Sequence, residues 1–290
     1  MHPLSVVDFL SDHQTCVLVE VTEAKGSTPR DVGTFMLVSA DAIWATIGGG
    51  QLEYMAIDNA RALLRGDGLP EMNIPLGPEI GQCCGGRTCL TFTAMTRAMA
   101  KSLSDRLEGE RSALPHITLF GAGHVGRALV RALSPLPFTL TMIESRAEEL
   151  QSIPQDIRTR LTPLPEAEVQ NMPAGSAALI LTHDHALDFL IARAALARPD
   201  FVYVGMIGSA TKRATFANWL KREGEHDSLI TRLTLPIGGN AVRDKRPEVI
   251  AALVAAELLT VYAARQAMRS ERQVSHPEGA GLIIKAAENR

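Results

Sequence analysis

Apolar and polar residues follow one pattern in the first 113 residues of the chain and another in the rest. In the first part, four segments rich in β-branched and apolar residues are predicted to be strands: residues 15–23, 35–39, 43–47 and 88–93. From Leu52 to Leu64, apolar residues recur at steps of three and four, which predicts an amphipathic helix that Gly66 ends. We therefore predict a small α/β domain, with a loop-rich stretch at residues 69–87.

The second part alternates apolar strand patterns with helical ones. The predicted strands are residues 116–120, 138–143, 177–181 and 201–207. The predicted helices are residues 125–133, 186–197, 210–223 and 247–268. Strands that alternate with helices pair in parallel through right-handed crossovers, and strands as apolar as 177–181 are buried on both faces. The pattern predicts an α/β fold of the Rossmann type, a parallel sheet with helices on both faces.

The domain boundary is placed where a charged helical segment ends. A helix and linker are predicted over residues 97–113, and Pro115 follows them. The predicted organisation is an N-terminal α/β domain at residues 1–113, a Rossmann-type domain at residues 114–268 and a loose tail at residues 269–290. A chain of 290 residues is long enough for two such domains.

Composition narrows the class of protein. Apolar residues make up 46% of the chain and charged residues 21%, which is ordinary for a globular protein with a sizeable core. The formal net charge is −3, so we expect no strongly basic face, and neither nucleic acid nor an anionic membrane is a predicted partner. The sequence has no apolar run of about 18 residues and no secretory signal pattern at its start, so we expect a cytoplasmic protein without a spanning helix.

A glycine-rich loop at residues 121–126, Gly-Ala-Gly-His-Val-Gly, follows a predicted strand and opens a predicted helix. This is the context of the dinucleotide-binding fingerprint, in which Gly121 allows the turn, Gly123 the approach of a phosphate and Gly126 the packing of helix on strand. Free N–H groups at the helix start would bind the phosphate, and Glu144 would suit a ribose diol. The predicted cofactor-binding residues here are Gly121, Gly123, His124, Gly126 and Glu144. The loop predicts NAD(P) or another nucleotide, unless it is a loop of this shape that binds nothing.

The first domain carries two adjacent thiols between glycines. Cys83 and Cys84 lie in the segment 81–86, Gly-Gln-Cys-Cys-Gly-Gly, and with Cys89 they do not make the paired C-x-x-C spacing of a structural zinc site. Backbone N–H groups freed by glycines stabilise a thiolate, which is a nucleophile and a soft metal ligand. Two interpretations stay open: Gln82 and the two cysteines bind a cofactor, or the cysteines are small buried residues in a turn.

A second glycine turn joins a predicted strand to a predicted helix at residues 48–53, Gly-Gly-Gly-Gln-Leu-Glu. Its N–H groups are available to a ligand, and Glu53 either contacts that ligand or stabilises the first helical turn through the helix dipole. The residues that we select as candidates are Gly48, Gly49, Gly50, Gln51 and Glu53.

Two further segments follow strands of the predicted parallel sheet, at the edge where such sheets bind ligands. In Thr-His-Asp-His at residues 182–185, the imidazoles and the carboxylate would bind a polar ligand, or Asp184 or Thr182 would cap the next helix. Gly-Met-Ile-Gly-Ser at residues 205–209 precedes Lys212 and Arg213, which either a nearby anion or exposure to solvent would explain. The selected candidates are His183, Asp184, Gly208 and Ser209.

Together these segments resemble the XdhC/CoxI family, in particular its XdhC branch of xanthine dehydrogenase accessory proteins. The resemblance covers about residues 5–265, and it is carried by the order and spacing of several short motifs. These motifs are residues 26–30 (Gly-Ser-Thr-Pro-Arg), 47–53, 82–86, 120–126, 182–188, 203–213 and 235–238. One departure is Leu235, where many relatives have a cysteine, so Cys83 and Cys84 are the plausible thiol site.

The resemblance implies an accessory protein rather than a catalyst. Members of the family form homodimers that bind the molybdenum cofactor (molybdopterin), protect it while a cysteine desulfurase installs its terminal sulfido ligand, and pass it to the large subunit of xanthine dehydrogenase. For this chain it implies the molybdenum cofactor as cargo, with Cys83 or Cys84 as a soft ligand to molybdenum. We expect the cofactor between the two domains, near the turn at 48–50 and the loop at Gly121.

Two other hypotheses compete with this one. An NAD(P)-dependent oxidoreductase would use the same glycine loop, with His183 or His185 as proton donor. An assembly factor would grip the dehydrogenase and carry no cofactor.

Overall fold

The computed structural model describes residues 6–78 and 85–275, without the side chains of residues 269–275. The chain divides into two compact units, unit 1 at residues 1–110 and unit 2 at residues 111–290. The predicted ligands Gln82, Cys83 and Cys84 lie outside the described residues, as does the end of the predicted tail.

Unit 1 is built on one antiparallel sheet. Its strands are β1 (Cys16–Lys25), β2 (Phe35–Ser39), β3 (Ile43–Ala45), β4 (Glu71–Pro75) and β5 (Arg87–Ala94). Its helices are α1 (Val6–Asp12), α2 (Gly50–Arg65) and α3 (Arg97–Ser112), the last of which crosses the unit boundary. The sheet has the order β3-β2-β1-β5-β4. One core cluster joins α2 to the sheet through Leu52 and Ala56, and another joins α1 and α3 to it through Phe9 and Leu103.

Strand β4 and helix α1 are absent from the sequence prediction. Strand β4 lies at the sheet edge, ends in Pro75 and buries only Ile74, so its five residues have no clear strand pattern. The prediction of an unbroken loop-rich stretch at residues 69–87 is therefore wrong over Glu71–Pro75.

Unit 2 is a parallel sheet with helices on both faces, which confirms the predicted Rossmann-type α/β fold. Its strands are β6 (His116–Phe120), β7 (Thr139–Glu144), β8 (Arg158–Leu161), β9 (Ala177–Ile180), β10 (Tyr203–Met206) and β11 (Leu233–Thr234). Its helices are α4 (His124–Leu133), α5 (Ala147–Leu150), α6 (Pro165–Glu168), α7 (His185–Ala197), α8 (Ala210–Arg222) and α9 (Pro247–Ser275). The strand order is β11-β10-β9-β6-β7-β8.

The order of the sheet determines where its loops meet. From β6 the chain moves outward through β7 and β8, and it then returns to place β9 on the other side of β6. This reversal between β6 and β9 is the topological switch point at which open α/β sheets bind ligands. The glycine loop after β6 and the Thr-His-Asp-His segment after β9 both lie at this point.

Helix α9 differs from the sequence expectation in two ways. It continues to Ser275, into the segment that the sequence assigns to a loose tail. The stretch Pro247–Met268 is also long and apolar enough to cross a membrane by length and composition, which corrects the expectation of no such helix. Its residues Val254, Leu258 and Tyr262 are buried in one core cluster with α4 and the sheet. A core helix of a soluble protein passes the same test, so this is weak evidence for a membrane span.

Two neighbouring leucines of α9 test this packing. Leu258 is fully buried, whereas Leu259 is 39% exposed. We expect Leu258→Ala to lower the free energy of unfolding by about 2–5 kcal/mol, because it leaves a cavity in the core. The matched change Leu259→Ala should lower it by less than about 1 kcal/mol. Urea denaturation measures both, and equal effects would contradict the orientation of the helix.

Candidate cofactor-binding site

In unit 1, three of the sequence motifs lie against one another. A Cβ atom on Gly86 would lie 2.2 Å from the carbonyl oxygen of Ser27, and one on Gly48 would lie 2.9 Å from the side chain of Pro29. The segment 26–30 is therefore in contact both with the glycine turn at 48–50 and with the end of the cysteine loop. Only glycine permits the first approach, since a side chain at residue 86 would overlap the backbone.

Hydrogen bonds hold the end of the cysteine loop in place. The N–H of Gly85 donates to the carbonyl oxygen of Leu76, and the N–H of Leu76 donates to the carbonyl oxygen of Gly86. Both hydrogen bonds are 2.8 Å long. Gly85 has a φ of +68°, a conformation that glycine adopts without strain. The described residues that flank the two predicted thiol ligands are thus anchored beside the segment 26–30.

Glu53 lies over the glycine turn of unit 1. Its Oε2 accepts hydrogen bonds from the N–H groups of Ile47 and Gly49, each at 3.1 Å, and a short one from the hydroxyl of Thr46. Of the two roles that the sequence allows for Glu53, these contacts fit the one in which the carboxylate stabilises the turn and the start of α2. A contact between Glu53 and a ligand stays a prediction.

The start of α2 keeps an anion-binding character despite Glu53. Gly49 caps the helix without a side-chain hydrogen bond, and the first N–H groups of a helix have no partner within it. Arg30 runs alongside, with its Cγ 3.5 Å from the position of a Cβ on Gly48. Its exposed guanidinium forms no hydrogen bond or ion pair with any described residue. Sequence reasoning missed Arg30 as a candidate, although the motif Gly-Ser-Thr-Pro-Arg contains it.

In unit 2, the three glycines of the loop at 121–126 have the environments that the fingerprint requires. Gly121 has a φ of +113°, and a Cβ atom on it would lie 2.5 Å from the carbonyl oxygen of Leu181. A Cβ on Gly126 would lie 2.1 Å from the carbonyl oxygen of Gly121, so helix α4 packs directly on the turn. A Cβ on Gly123 would meet nothing within 4 Å, which leaves that side of the loop open.

The start of α4 is a second uncapped helix end. Gly123 caps it without a side-chain hydrogen bond, and the exposed His124 begins the helix. The first-turn N–H groups and the positive end of the helix dipole are therefore directed at the open side of the loop. This geometry suits a phosphate group.

Glu144 makes contacts other than those that the sequence suggested. Its side chain is only 3% exposed, and the carboxylate accepts from the N–H groups of Ala122 and Ser145 at 2.8 Å and from Arg146. Burial raises the pKa of this carboxyl, but the bonds from Ala122, Arg146 and Ser145 outweigh it and hold the pKa below its usual value. Glu144 thus ties the glycine loop to the end of β7, and a role toward a ribose diol stays a prediction.

The Thr-His-Asp-His segment forms the capped start of α7. Asp184 is the N-cap residue and accepts from the N–H of Ala186 at 2.7 Å, which is the helix-capping alternative. His183 and His185 are exposed. Among the residues that the structure describes, no three metal-ligating side chains form a group that could hold an ion.

The sequence analysis explained Lys212 and Arg213 by a nearby anion or by exposure to solvent, and the structure shows that this interpretation is wrong. Lys212 is 10% exposed, and its Nζ lies 2.5 Å from Oδ2 of Asp188, which is fully buried. Arg213 donates to the carbonyl oxygens of Leu233 and Ile230, both at 2.9 Å. Both cations therefore bind groups of the protein itself.

The buried pair connects two loops of the carboxyl edge. Asp188 accepts from the N–H and hydroxyl of Thr182 after β9, at 2.9 and 2.7 Å. Lys212 also donates to the carbonyl oxygen of Ile207 after β10, at 3.0 Å, and its side chain fills the space that a Cβ on Gly208 would need. Ser209 caps α8 by accepting from the N–H of Lys212. The predicted ligands Gly208 and Ser209 are thus held next to the segment 182–185.

Known proteins share both parts of this chain. The family model described as the XdhC Rossmann domain matches residues 117–258, and the model of the XdhC and CoxI family matches residues 9–71. The chain is similar to the uncharacterized protein YqeB of Escherichia coli (strain K12), with 28% identity over 94% of this chain and 48% of that protein. It therefore spans about half the length of this curated relative.

One solved structure resembles the chain over nearly its whole length. It is described as a xanthine dehydrogenase from Bacillus halodurans, and it superposes with a TM-score of 0.72 over 94% of this chain and 98% of that one. The sequence identity is 18%, so this likeness concerns the fold alone.

The buried pair of unit 2 gives a prediction for stability. We expect Asp188→Asn and Lys212→Met each to lower the free energy of unfolding by about 3–5 kcal/mol, because each leaves a buried polar partner unpaired. In the double variant, the decrease in the free energy of unfolding should be smaller than the sum of the decreases in the two single variants. The exposed pair Lys221–Asp227, where Lys221 is 60% exposed, is the control, and Lys221→Met should cost less than about 1 kcal/mol. Additive losses in urea denaturation would show that the two residues do not interact.

The lowered pKa of Glu144 gives a prediction for pH dependence. A carboxyl whose pKa is lower in the folded protein stabilises it above the unfolded pKa of about 4.3, and this contribution is lost as pH falls through the folded value. We expect Glu144→Gln to lower the free energy of unfolding by about 1–3 kcal/mol at pH 7. The difference from the unaltered protein should shrink as the pH is lowered below about 4. Urea denaturation across this range measures it, and a difference independent of pH would contradict the assignment to charge.

Proposed function

The chain belongs to the XdhC and CoxI family, and from this premise we propose that it is a molybdenum cofactor-binding chaperone that holds the cofactor during sulfuration and delivers it to xanthine dehydrogenase. Membership supports an accessory role linked to the maturation of that enzyme. The proposal includes the large subunit of xanthine dehydrogenase and a cysteine desulfurase as partners, a homodimeric state and a cytoplasmic location.

The observation that carries the proposal is the contact among three motifs in unit 1. The segment 26–30 touches both the glycine turn at 48–50 and the glycines that end the cysteine loop. A molybdenum cofactor is a pterin with a phosphate and a metal bound by sulfur. In our proposal the uncapped start of α2 and the guanidinium of Arg30 bind the phosphate, since both favour an anion.

The metal and the pterin need other donors. Molybdenum with sulfur ligands is soft, so the thiolate of Cys83 or Cys84 is the ligand that we propose for it. The pterin has amide-like edges, which the backbone groups of the glycine segments and the amides of Gln51 and Gln82 would satisfy. Glycine-rich loops also suit a carrier, because a protein that delivers its cargo must release it.

The glycine loop of unit 2 suits a phosphate group, but it does not identify the ligand that carries this phosphate. The uncapped start of α4 fits the phosphate of a nucleotide-extended cofactor as well as that of NAD(P). The carboxylate of Glu144 is already bound to Ala122, Ser145 and Arg146, whereas a dinucleotide site would use it for the ribose. This favours the cofactor carrier over a nicotinamide-dependent oxidoreductase.

Cofactor retention tests the proposal directly. The purified full chain is incubated with molybdenum cofactor and with NAD(P)H, and bound molybdenum, pterin and nicotinamide are measured after gel filtration. We expect molybdenum and pterin to be retained together, and the double change Cys83→Ala with Cys84→Ala to reduce retention at least about tenfold because the soft ligand is lost.

Another cysteine of unit 1 supplies the control. Cys89 is buried and its thiol bonds to Glu71 at 3.2 Å, so Cys89→Ser keeps a donor there and should leave retention unchanged. Stoichiometric binding of nicotinamide without pterin would instead establish the oxidoreductase. Full activation of xanthine dehydrogenase by the double cysteine variant would establish an assembly factor without cargo.

A further inference from the structure

Part of the parallel sheet in unit 2 has one apolar face and one polar face. On β6 and β7, Ile117, Leu119 and Met142 are fully buried in the cluster that contains α4 and α9. Thr118 and Thr141 alternate with them and so point to the opposite face. Central strands of a parallel sheet are usually apolar on both faces, so hydroxyls at these positions need an explanation.

The polar residues form a row across three strands. Thr118 of β6 is the register partner of Thr141 of β7, and Thr141 is the register partner of Arg158 of β8. Two hydroxyls and a guanidinium therefore lie side by side on this face. In the next row toward the carboxyl ends, Phe120 and Ile143 are buried, which limits the polar surface to the amino-terminal half of the strands.

This row lies in a cavity of about 390 Å³, which we call the groove. Besides Thr118, Thr141 and Arg158, the cavity is lined by His116 at the start of β6 and by the ion pair of Arg160 with Glu168, at 2.6 Å. A second cavity, of about 290 Å³, shares His116 and adds Arg265 of α9. The charged side chains around the row are thus three arginines and one carboxylate, and the carboxylate is already paired.

The polar groups of the row have no partner within the described part of the chain. Thr118 is only 4% exposed, yet its hydroxyl makes no hydrogen bond to any described residue. The hydroxyl of Thr141 and the guanidinium of Arg158 make none either. The hydroxyl of Thr118 is open to solvent in the cavity, and the guanidinium of Arg158 beside it is exposed. Hydroxyls and a guanidinium that face one cavity without a partner among the described residues can donate hydrogen bonds to a ligand there.

We propose that this groove binds the phosphate or carboxylate group of a small metabolite, with Thr118, Thr141 and Arg158 as its donors. Hydroxyls donate single hydrogen bonds to an oxyanion, and a guanidinium donates two in a fork that matches it. The volume lies in the range of about 300–1,000 Å³ that small-molecule sites occupy. Burial, and secondarily the charge of Arg158, lower the pKa of His116, so a bound anion would act on that imidazole.

The groove is distinct from the glycine loop of the same unit. Thr118 precedes Gly121 by three residues of strand, about 10 Å, and lies on the face away from α4. This inference therefore does not rest on the proposed function, and either can fail without the other.

The imidazole of His116 reports on the groove. The full chain, labelled at its histidine rings, is titrated with inorganic phosphate and with citrate while the ring signals are followed by NMR, and His116→Gln identifies the signal. We expect saturable shifts of the His116 signal and a higher pKa for its imidazole in the presence of at least one of the two anions. A His116 signal that neither anion moves would overturn the proposal.

Variants assign the effect to the row. Thr118→Val removes the hydroxyl at nearly constant volume, and Arg158→Gln removes the charge; each should weaken binding about tenfold or more. If Thr118→Val fails to fold, Thr141→Val replaces it. Arg222→Gln, an exposed arginine at the end of α8, is the control and should bind as the unaltered chain does.

Two further results would contradict the proposal. Unchanged binding in both Thr118→Val and Arg158→Gln would place the anion elsewhere. A change of oligomeric state in Arg158→Gln, measured by sedimentation, would mean that the groove is filled by a second copy of the chain.

Discussion

At a few glycines in this protein, stretches of backbone approach each other so closely that one methyl group would separate them. In unit 2, Gly126 lies against the carbonyl oxygen of Gly121, and Gly121 lies against the backbone of Leu181. In unit 1, Gly86 lies against the carbonyl oxygen of Ser27. Both candidate sites depend on this constraint, because it places N–H-rich loops side by side that are far apart along the chain. A ligand phosphate can then reach backbone donors that no side chain covers.

The charged residues near these loops serve mainly to hold them. Glu53 binds the glycine turn of unit 1, Glu144 binds the glycine loop of unit 2, and Asp188 binds Thr182 and Lys212. Each carboxylate accepts several bonds, so its charge is compensated within the protein. Among the described residues beside these loops, the two uncapped helix starts and the guanidinium of Arg30 remain available to an anion. The electrostatics of the sites thus arise from backbone dipoles more than from side chains, which suits moderate and reversible binding.

The sequence predicts the fold of unit 2 well because its signals there are strong and local. The apolar run at residues 116–120 predicts β6 with the bounds that the structure has, and the glycine loop predicts the turn and the start of α4. The edge strands β4 and β8 were missed, because their residues are polar, largely exposed and few. Pattern rules depend on burial, and an edge strand buries too little to produce a pattern.

The roles of individual side chains were harder to predict, for a different physical reason. The sequence analysis explained Lys212 by a nearby anion or by solvent, but its partner is Asp188, which lies 24 residues away along the chain. Glu144 matched the spacing of a ribose ligand, but the fold brings Ala122 to the same carboxylate. In both cases the deciding contact joins residues that are distant along the chain. Sequence spacing could therefore identify the residue as a candidate, but it could not predict the partner of that residue. Arg30 is the reverse case, since only the fold shows that its side chain passes beside a glycine turn.

The polar row on the sheet follows from the length of one crossover. The chain returns from β8 to β9 through α6, which has four residues, and a three-residue helical turn, Val169–Asn171. Elements this short cover the carboxyl-terminal half of β6 and β7, where Phe120 and Ile143 are buried, and leave the amino-terminal half open. Apolar residues at these positions would expose an apolar patch that favours aggregation. Thr118 and Thr141 instead place hydrogen-bond donors in the groove. The same two strands therefore present binding chemistry at both ends, with backbone N–H groups at one and side chains at the other.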